Sequence, residues 1–256
     1  MFKLDLNKRV AVITGAGSGI GKQCALQLAE CGAHVVITEL SNNLAKLKDT
    51  ERCIREIRSD MDIMSLSLDV QDINQIDAAV QAVEDKYNRV DILINNAGVN
   101  ILSDSFQIEE KHWDLIINTN LKGTFFCSQR FGNLMRKHGG GKIICLASQF
   151  GIVGGYWRAA YCASKGGIVN LVRALALEWA EYDINVNAVA PTIVETEKNY
   201  EILHQQQYID EFIPQIPLSR YATVEEVTNL ILFLSSPMAS MITGQTYLLD
   251  GGWTAK

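Results

Sequence analysis

Residues 9–21 of the chain read Arg-Val-Ala-Val-Ile-Thr-Gly-Ala-Gly-Ser-Gly-Ile-Gly, and Cys24, Ala25, Leu28 and Ala29 follow at helical spacing. This order predicts a buried strand, a glycine-rich turn and a helix. Glycine tolerates positive φ and lets backbone amides approach a pyrophosphate, while a helix N-terminus carries about half a positive charge. The stretch therefore favours dinucleotide binding over a tight connection that binds nothing.

Strand and helix patterns alternate along the rest of the chain. We predict strands at residues 9–14, 34–38, 63–68, 90–94, 142–147, 184–189 and 245–249. Helical periodicity occupies residues 42–59, 71–88, 109–137 and 158–179, and a capped helix starts at Thr223. Such alternation implies a parallel sheet that binds ligands at the carboxyl ends of its strands. We therefore expect an α/β fold, a Rossmann-type doubly wound parallel sheet of about seven strands with helices on both faces, in a single domain over residues 1–256.

Composition argues against several classes of protein. The 256 residues carry a net charge of -6 with no basic run, which argues against nucleic acid as a partner. The six cysteines lack paired spacing and the four histidines form no ligand pattern, so we expect reduced thiols and no catalytic metal. The N-terminus lacks the apolar core of a signal peptide, and no apolar run approaches the length of a membrane span. These features predict a soluble cytoplasmic protein with no membrane partner.

Glu39 follows the second predicted strand, 18 residues after Gly21. A dinucleotide-binding fold places there the carboxylate that binds both hydroxyls of the adenosine ribose. A 2′-phosphate would meet this carboxylate at a cost of up to ~4 kcal/mol, for unit charges ~4 Å apart at an effective dielectric of ~20. No Arg or Lys stands at residues 16–18 or 38–40 to relieve the repulsion. The sequence thus predicts NAD, and a solvated Glu that opens a loop is the alternative.

Tyr161 and Lys165 lie four residues apart in a predicted helix, so the phenol and the ammonium share one face. A free phenol ionises near pH ~10, and a neighbouring cation lowers its pKa by ~1–3 units, towards the range useful for proton transfer. We therefore expect a lowered pKa for Tyr161, and an ordinary solvated helix face is the alternative. Asn120 is a second candidate, because an Asn within an apolar helical seam requires hydrogen-bond partners.

The chain resembles the classical type of short-chain dehydrogenase/reductase over essentially its full length. The motifs that carry the resemblance are Thr14-Gly-Ala-Gly-Ser-Gly-Ile-Gly21, Asp69-Val70, Asn95-Asn-Ala-Gly98, Asn120-Leu-Lys-Gly123, Ser148, Tyr161-Cys-Ala-Ser-Lys165 and Asp250-Gly-Gly252. Ser148 precedes Tyr161 by thirteen residues, which is the spacing this family uses. The resemblance implies an NAD-dependent oxidoreductase that moves a hydride between an alcohol carbon and the nicotinamide ring.

The resemblance also implies roles for individual residues. Tyr161 would act as general acid-base, Ser148 would steady the reacting oxygen, and Lys165 would lower the pKa of Tyr161 and hold the nicotinamide ribose. Asn120 would carry a water-linked proton path. Cofactor contacts are expected from the glycine turn, the strand ends and two of the catalytic side chains, namely Gly15, Ser18, Gly19, Ile20, Gly21, Glu39, Asp69, Val70, Asn95, Ala97, Gly98, Tyr161, Lys165, Val194 and Thr196.

The sequence departs from the family pattern at Thr192, which stands where glycine is usual. A residue with a Cβ has fewer backbone conformations available near the nicotinamide. Family members with a similar C-terminal run are usually tetramers. The resemblance therefore implies a homotetramer in which the long helices at 109–137 and 157–181 pair across one interface.

Four residues and one segment are candidates for substrate contacts. These are Asn100, Gln149, Trp157 and Arg158, together with a lid at about residues 195–216. Arg158 suits a forked grip on an anion, and an ordinary surface Arg at a helix start is the alternative. The segment 195–216 is polar, so a plain surface excursion also fits it. These features favour a small hydroxylated substrate such as a sugar acid or polyol.

Two other functions fit the same resemblance. A 3-oxoacyl-thioester reductase normally uses NADP and offers a basic face to its carrier protein, so Glu39 and the acidic balance count against it. A nucleotide-sensing or scaffold protein without turnover tends to lose the tyrosine or lysine. Tyr161 and Lys165 are both present here. The sequence therefore favours the dehydrogenase.

Overall fold

A parallel sheet forms the centre of the computed structural model, which describes residues 4–255. The strands are β1 Val10–Ile13, β2 His34–Glu39, β3 Ile63–Ser67, β4 Ile92–Asn95, β5 Gly141–Leu146, β6 Ile184–Pro191, β7 Val194–Glu195, β8 Ala222–Thr223 and β9 Thr246–Leu249. Seven of them form one sheet in the order β3-β2-β1-β4-β5-β6-β9, and β7 pairs with β8 separately. All neighbours in the large sheet are parallel. The predicted doubly wound sheet is confirmed, with its switch point between β1 and β4.

Helices cover both faces of this sheet. They are α1 Gly19–Glu30, α2 Leu44–Ile57, α3 Ile73–Tyr87, α4 Glu110–Ile117, α5 Thr124–Lys137, α6 Ala159–Trp179, α7 Tyr200–Leu203, α8 Gln206–Phe212 and α9 Val224–Leu234. Leu28 of α1 and Ile231 of α9 belong to the core cluster on one face, and Phe131 of α5 and Val172 of α6 belong to the cluster on the other. No helix within residues 4–255 has the length and apolarity needed to cross a membrane.

The first strand shows why the sheet could be predicted. Ala11 and Ile13 pack into one core cluster, whereas Val10 and Val12 pack into the other. Successive side chains of a strand point to opposite faces, and both faces of this sheet are covered by helices. An uninterrupted apolar run is therefore the expected sequence for such a strand.

The predicted helix at 109–137 is interrupted by a wider π-helical segment, Asn118–Gly123. The Thr124 hydroxyl donates a hydrogen bond of 2.7 Å to the Asn120 carbonyl, and the Asn120 side chain is fully buried. A Cβ on Gly123 would lie 2.7 Å from Cγ2 of Val70, so only glycine lets the segment approach the end of β3 this closely. Single-turn π segments of this kind occur frequently at functional sites, and apolar periodicity does not reveal them.

The segment 195–216 folds into the short helices α7 and α8 and a 3-10 turn at Ile213–Gln215. Its surface is polar, but on its inner side Leu203, Phe212 and Ile216 form a small apolar cluster with Tyr221, which follows the segment. The Tyr221 hydroxyl is 3.2 Å from the carbonyls of both Leu203 and Tyr208, within hydrogen-bond distance of each. The segment is therefore packed around a small core rather than lying loosely on the surface.

Helix α9 begins with a complete capping box. The Thr223 hydroxyl accepts a hydrogen bond from the Glu226 backbone N–H at 3.2 Å, and the Glu226 carboxylate accepts one from the Thr223 N–H at 2.9 Å. Two backbone donors that the helix itself cannot satisfy are thus paired. The predicted capped start at Thr223 is confirmed.

Replacing Thr223 by Ala should lower the free energy of unfolding by about 1 kcal/mol, because loss of a side-chain N-cap costs ~0.5–2 kcal/mol. Urea unfolding followed by circular dichroism would show a lower midpoint at an unchanged slope. Thr223→Ser is the matched control, since it keeps the hydroxyl and should keep most of the stability. Equal midpoints for the two variants would show that the box does not stabilise the fold.

Candidate active site

Two adjoining cavities open at the carboxyl ends of the strands. The first, named here the Glu39 cavity, has a volume of about 380 Å³ and lies along the glycine turn, Glu39 and Asp69. The second, the Tyr161 cavity, has a volume of about 500 Å³ and is lined by Ser148, Tyr161 and Lys165. The residues shared by both are Ile20, Asn96, Gly98, Val99 and Thr196. A larger cavity of about 780 Å³ elsewhere is lined by none of the predicted catalytic residues.

The glycine turn is shaped by Asn96, a residue that the sequence reasoning missed. Its side-chain amide donates hydrogen bonds of 2.9 Å to the carbonyls of Thr14 and Gly15. Gly15 has a φ of +66°, and a Cβ there would lie 3.1 Å from the Ala97 Cα. The turn therefore requires glycine at this position, and the Asn96 amide holds two of its carbonyls in place.

Asn95, expected to contact the cofactor, is placed elsewhere. It is the last residue of β4, its side chain is buried, and its amide donates a hydrogen bond of 2.8 Å to the Ser128 hydroxyl. It lines neither cavity, whereas Asn96 lines both. Because consecutive residues at a strand end face different directions, the first Asn of the pair faces α5 and the second faces the cleft.

The Glu39 cavity is lined by most of the residues predicted for the adenosine end. Those that line it are Gly15, Ser18, Ile20, Glu39, Asp69, Val70, Ala97, Gly98 and Thr196. The Leu40 backbone N–H donates to Glu39 Oε1 at 3.0 Å, and a Cβ on Gly17 would lie 2.9 Å from Glu39 Oε2. Of the remaining turn glycines, Gly21 is buried beneath Gly15 and Gly19 lines a separate groove.

Two lysines that were not predicted as site residues also line the Glu39 cavity. Lys46 comes from the first turn of α2, and Lys198 from the segment after β7. Both lie outside residues 16–18 and 38–40, which contain no Arg or Lys. The cavity thus combines two carboxylates, Glu39 and Asp69, with two amines.

Lys165 is a buried cation held by the sheet. Its Nζ donates a hydrogen bond of 2.5 Å to the Leu146 carbonyl at the end of β5. Nζ also lies 5.6 Å from the centre of the Tyr161 ring, so the two side chains share one face of α6 as predicted. Burial lowers the pKa of Lys165 to about 8, because a charged amine loses its hydration there.

The pKa of Tyr161 is raised rather than lowered. Part of the ring reaches the cleft, yet protein atoms surround the phenol closely enough that desolvation is the largest influence and raises its pKa. Interaction with the Ser148 hydroxyl and the charge of Arg158 both act to lower the pKa of Tyr161, but they do not outweigh burial. The prediction that Lys165 lowers the pKa of Tyr161 was therefore wrong for the chain by itself, since the Lys165 amine is directed to the Leu146 carbonyl.

Asn120 connects the loop after β4 to α6. Its amide donates to the Val99 carbonyl at 2.9 Å and to the Ser164 hydroxyl at 3.1 Å, and its oxygen accepts from the Val99 N–H at 2.8 Å. Ser164 in turn donates to the Tyr161 carbonyl at 2.8 Å. A Cβ on Gly98 would lie 3.3 Å from Asn120 Oδ1 and 3.7 Å from Lys165 Nζ. Asn120 therefore has the partners its buried position demands, next to the Lys165 amine.

The predicted substrate residues separate into two groups. Asn100 and Arg158 line the Tyr161 cavity, as does Val194 from the cofactor set. Gln149 and Trp157 do not line the Tyr161 cavity. Gln149 is fully buried elsewhere, and Trp157 is 58% exposed with a φ of +56°. The lining residues that were not anticipated individually include Phe150, Ile193, Asn199, Leu203, Tyr208 and Phe212.

Thr192 adopts ordinary backbone geometry. It is not among the residues with positive φ, and its N–H donates to the Leu249 carbonyl at 3.0 Å. The side chain is buried at the wall between the Tyr161 cavity and the large cavity beyond it. A Cβ is thus accommodated at this position without backbone strain.

Within residues 4–255, no three metal-ligating side chains lie close enough together to hold an ion.

Comparison with known proteins decides the family. The family model described as "Enoyl-(Acyl carrier protein) reductase" matches residues 15–254. An "NAD-dependent glycerol dehydrogenase" from Listeria innocua is 39% identical, over 100% of this chain and 98% of that protein. The chain belongs to the short-chain dehydrogenase/reductase family. It is accordingly an oxidoreductase that uses a nicotinamide cofactor.

Two further members of the family illustrate its range. A "2-dehydro-3-deoxy-D-gluconate 5-dehydrogenase" from Dickeya dadantii is 35% identical, over 98% of each chain. A crystal structure of a gluconate 5-dehydrogenase from Burkholderia cenocepacia, in complex with NADP and tartrate, is 32% identical with a TM-score of 0.91, over 99% of this chain and 98% of that one. The relatives are named for different substrates, and one is named NAD-dependent while another was crystallised with NADP, so the family alone fixes neither substrate nor cofactor.

The two neighbouring asparagines should respond to mutation in opposite ways. Asn96→Ala should weaken binding of the nicotinamide cofactor about tenfold, because it frees the carbonyls that shape the glycine turn, while leaving the free energy of unfolding nearly unchanged. Asn95→Ala should instead lower the free energy of unfolding by about 1–3 kcal/mol, because it removes a buried hydrogen-bond partner. Fluorescence titration with NADH and urea unfolding measure the two effects. A loss of NADH affinity confined to Asn95→Ala would contradict the assignment.

Proposed function

We propose that this protein is an NAD-dependent dehydrogenase that interconverts a secondary or primary alcohol and its carbonyl compound. The observation that carries the proposal is the convergence of Ser148, Tyr161 and Lys165 on one cavity, which adjoins a second cavity lined by Glu39 and the glycine turn. A small hydroxylated molecule, such as a polyol or sugar acid, is the proposed substrate. The named relatives act on glycerol, gluconate or 2-dehydro-3-deoxy-D-gluconate, which supports this class.

The residues present fit a dinucleotide. Gly15 and Gly19 both have positive φ, and α1 begins at Gly19, so backbone N–H groups and the helix dipole favour a pyrophosphate there. Glu39, which lines the same cavity, would accept hydrogen bonds from the ribose hydroxyls, and Lys165 would hold the second ribose. When bound, the cofactor supplies the hydride chemistry, and the protein is left to manage one proton.

The Tyr161 phenol is the proposed proton carrier. Because its pKa is raised, the phenol is protonated at neutral pH and ready to donate to a carbonyl oxygen in the reducing direction. In the oxidising direction the phenol must first lose its proton, so the rate of alcohol oxidation should increase with pH above neutrality. Ser148 would hold the reacting oxygen, and the Asn120 network beside Lys165 would return the proton to solvent.

The segment 195–216 is proposed to cover the substrate. Leu203, Tyr208 and Phe212 from this segment line the Tyr161 cavity, and Thr196 lines both cavities. Closing apolar side chains over the site would exclude water during hydride transfer. The cavity of about 500 Å³ must also admit the nicotinamide, which supports a small substrate.

A homotetramer is proposed because family members with a similar C-terminal run are usually tetramers. Leu177, in the last turn of α6, is an apolar side chain that is 83% exposed in the single chain. Pairing of α4, α5 and α6 with a second copy would cover it.

Tyr161→Phe should reduce the turnover number by about 100- to 10,000-fold, because the ring then has no proton to transfer. NADH affinity should stay within about twofold, since the ring and its neighbours are kept. Tyr156→Phe is the matched control, because Tyr156 is 86% exposed and lines neither cavity. Absorbance at the NADH band, with a panel of polyols and sugar acids, measures turnover. Wild-type rates in Tyr161→Phe would remove this residue from the mechanism.

Glu39→Gln should reduce the preference for NAD over NADP by at least about tenfold, because a 2′-phosphate no longer meets a carboxylate. The amines of Lys46 and Lys198 then remain as the cavity's compensating charges. The ratio of kcat/KM for the two cofactors measures the preference. Asp69→Asn removes a charge from the same cavity at its adenine end and should leave the ratio unchanged. Equal use of NAD and NADP by the unmodified protein would rule out Glu39 as the selector.

A further inference from the structure

We propose that Arg158 binds a carboxylate of the substrate, and this inference rests on the proposed dehydrogenase function. The side chains that line the Tyr161 cavity include two cations, Arg158 and Lys165, and no Asp or Glu. The whole protein has a net charge of -6, so an uncompensated positive cavity runs against its overall charge. Such a cavity attracts an anionic ligand more strongly than a neutral one.

The Arg158 guanidinium retains most of its hydrogen-bonding capacity. Its Nη1 donates to the Tyr156 carbonyl at 3.0 Å, and no carboxylate of residues 4–255 forms an ion pair with it. Arg220, by contrast, is engaged by the carboxylate of Glu226. A guanidinium has five N–H donors in a planar fork, so one contact leaves a pair for a carboxylate.

An aromatic platform holds Arg158 in place. The guanidinium carbon lies 5.0 Å from the centre of the Phe150 ring, and Phe150 packs edge-on against Trp253 at 6.3 Å. A Cβ on Gly155 would lie 2.8 Å from two atoms of the Phe150 ring and 3.4 Å from Arg158 Cδ, so glycine is needed for this packing. Stacking on an aromatic face fixes the guanidinium plane and reduces the entropy lost on binding.

Arg158 is close enough to the reacting centre to influence it. It precedes Tyr161 by three residues, and its charge acts to lower the pKa of the phenol. A carboxylate held by Arg158 would therefore place a nearby carbinol carbon of the same molecule beside Ser148 and Tyr161. One guanidinium fork matches one carboxylate, whereas phosphate sites generally use several donors, so a hydroxy acid or sugar acid fits better than a sugar phosphate.

Matched pairs of substrates test the proposal. Gluconate with glucitol and glycerate with glycerol each share a carbon chain and differ in one carboxylate. For wild-type protein we expect a higher kcat/KM for the acid of each pair. Arg158→Gln should lower kcat/KM for the acid by about 10- to 100-fold, mainly through KM, and the neutral compound should lose much less. Arg158→Lys should recover part of the loss.

A second readout separates binding from turnover. Tartrate should bind to the complex of wild-type protein with NADH, as measured by calorimetry, and bind about 10- to 100-fold more weakly to Arg158→Gln. Gly155→Ala, which keeps the arginine but displaces Phe150, should weaken tartrate binding as well. Arg136→Gln is the matched control, because Arg136 also lies over an aromatic ring, Tyr182, but outside both cavities.

The outcomes distinguish this proposal from the proposed function. A wild-type preference for the neutral member of each pair, or an unchanged acid-to-neutral ratio in Arg158→Gln, would overturn the carboxylate site. If no compound of either kind were oxidised, the dehydrogenase assignment would fail, and tartrate binding would still decide the role of Arg158. Loss of tartrate affinity in Arg136→Gln equal to that in Arg158→Gln would show a general charge effect and would also overturn the proposal.

Discussion

The buried Lys165 ammonium is the constraint on which the rest of the site depends. A buried amine keeps its proton only where a strong hydrogen-bond acceptor compensates for the lost hydration. The Leu146 carbonyl at the end of β5 is that acceptor, with its oxygen 2.5 Å from Lys165 Nζ. This bond ties α6 to the carboxyl edge of the sheet. Because Tyr161 is one turn earlier on the same helix, the bond also sets where the phenol meets Ser148, which follows β5 by one short connection.

Polar clamps hold the neighbouring loops against this centre. Asn96 fixes the glycine turn through two carbonyls, and Asn120 fixes the loop after β4 through both polar groups of Val99. The Asn96 amide donates two hydrogen bonds, and the Asn120 amide donates two and accepts one. An amide can satisfy a donor and an acceptor at once without charge, so it stabilises backbone at a strand end without competing with the cofactor's own charges. The π-helical segment exists where Asn120 turns inward to make these bonds.

Prediction from sequence succeeded where burial is repeated and failed where one side chain's direction matters. The strands were found because Val12, Leu93 and their neighbours are enclosed on both faces, which forces continuous apolar runs. Spacing alone could not show that Asn95 faces Ser128 while Asn96 faces the cleft. It also could not show that Lys46 of α2 lines the same cavity as Glu39 at the end of β2. The pKa of Tyr161 was misjudged for the same reason: helical spacing shows which groups are neighbours, but burial depends on the tertiary packing of every element around them.

The two cavities of the cleft differ in their balance of charged side chains. In the Glu39 cavity two carboxylates and two amines are present together, so their fields largely cancel at a distance. In the Tyr161 cavity Arg158 and Lys165 have no acidic counterpart among the lining residues. A molecule with a carboxylate at one end is therefore drawn towards the Tyr161 cavity with that end leading. Because Arg158 acts on the phenol as well as on the ligand, an anion bound to it would offset part of the influence that lowers the pKa of Tyr161. The charge of the substrate and proton transfer by Tyr161 are thus coupled through the Arg158 guanidinium. A neutral polyol would leave the effect of Arg158 on the pKa of Tyr161 unchanged.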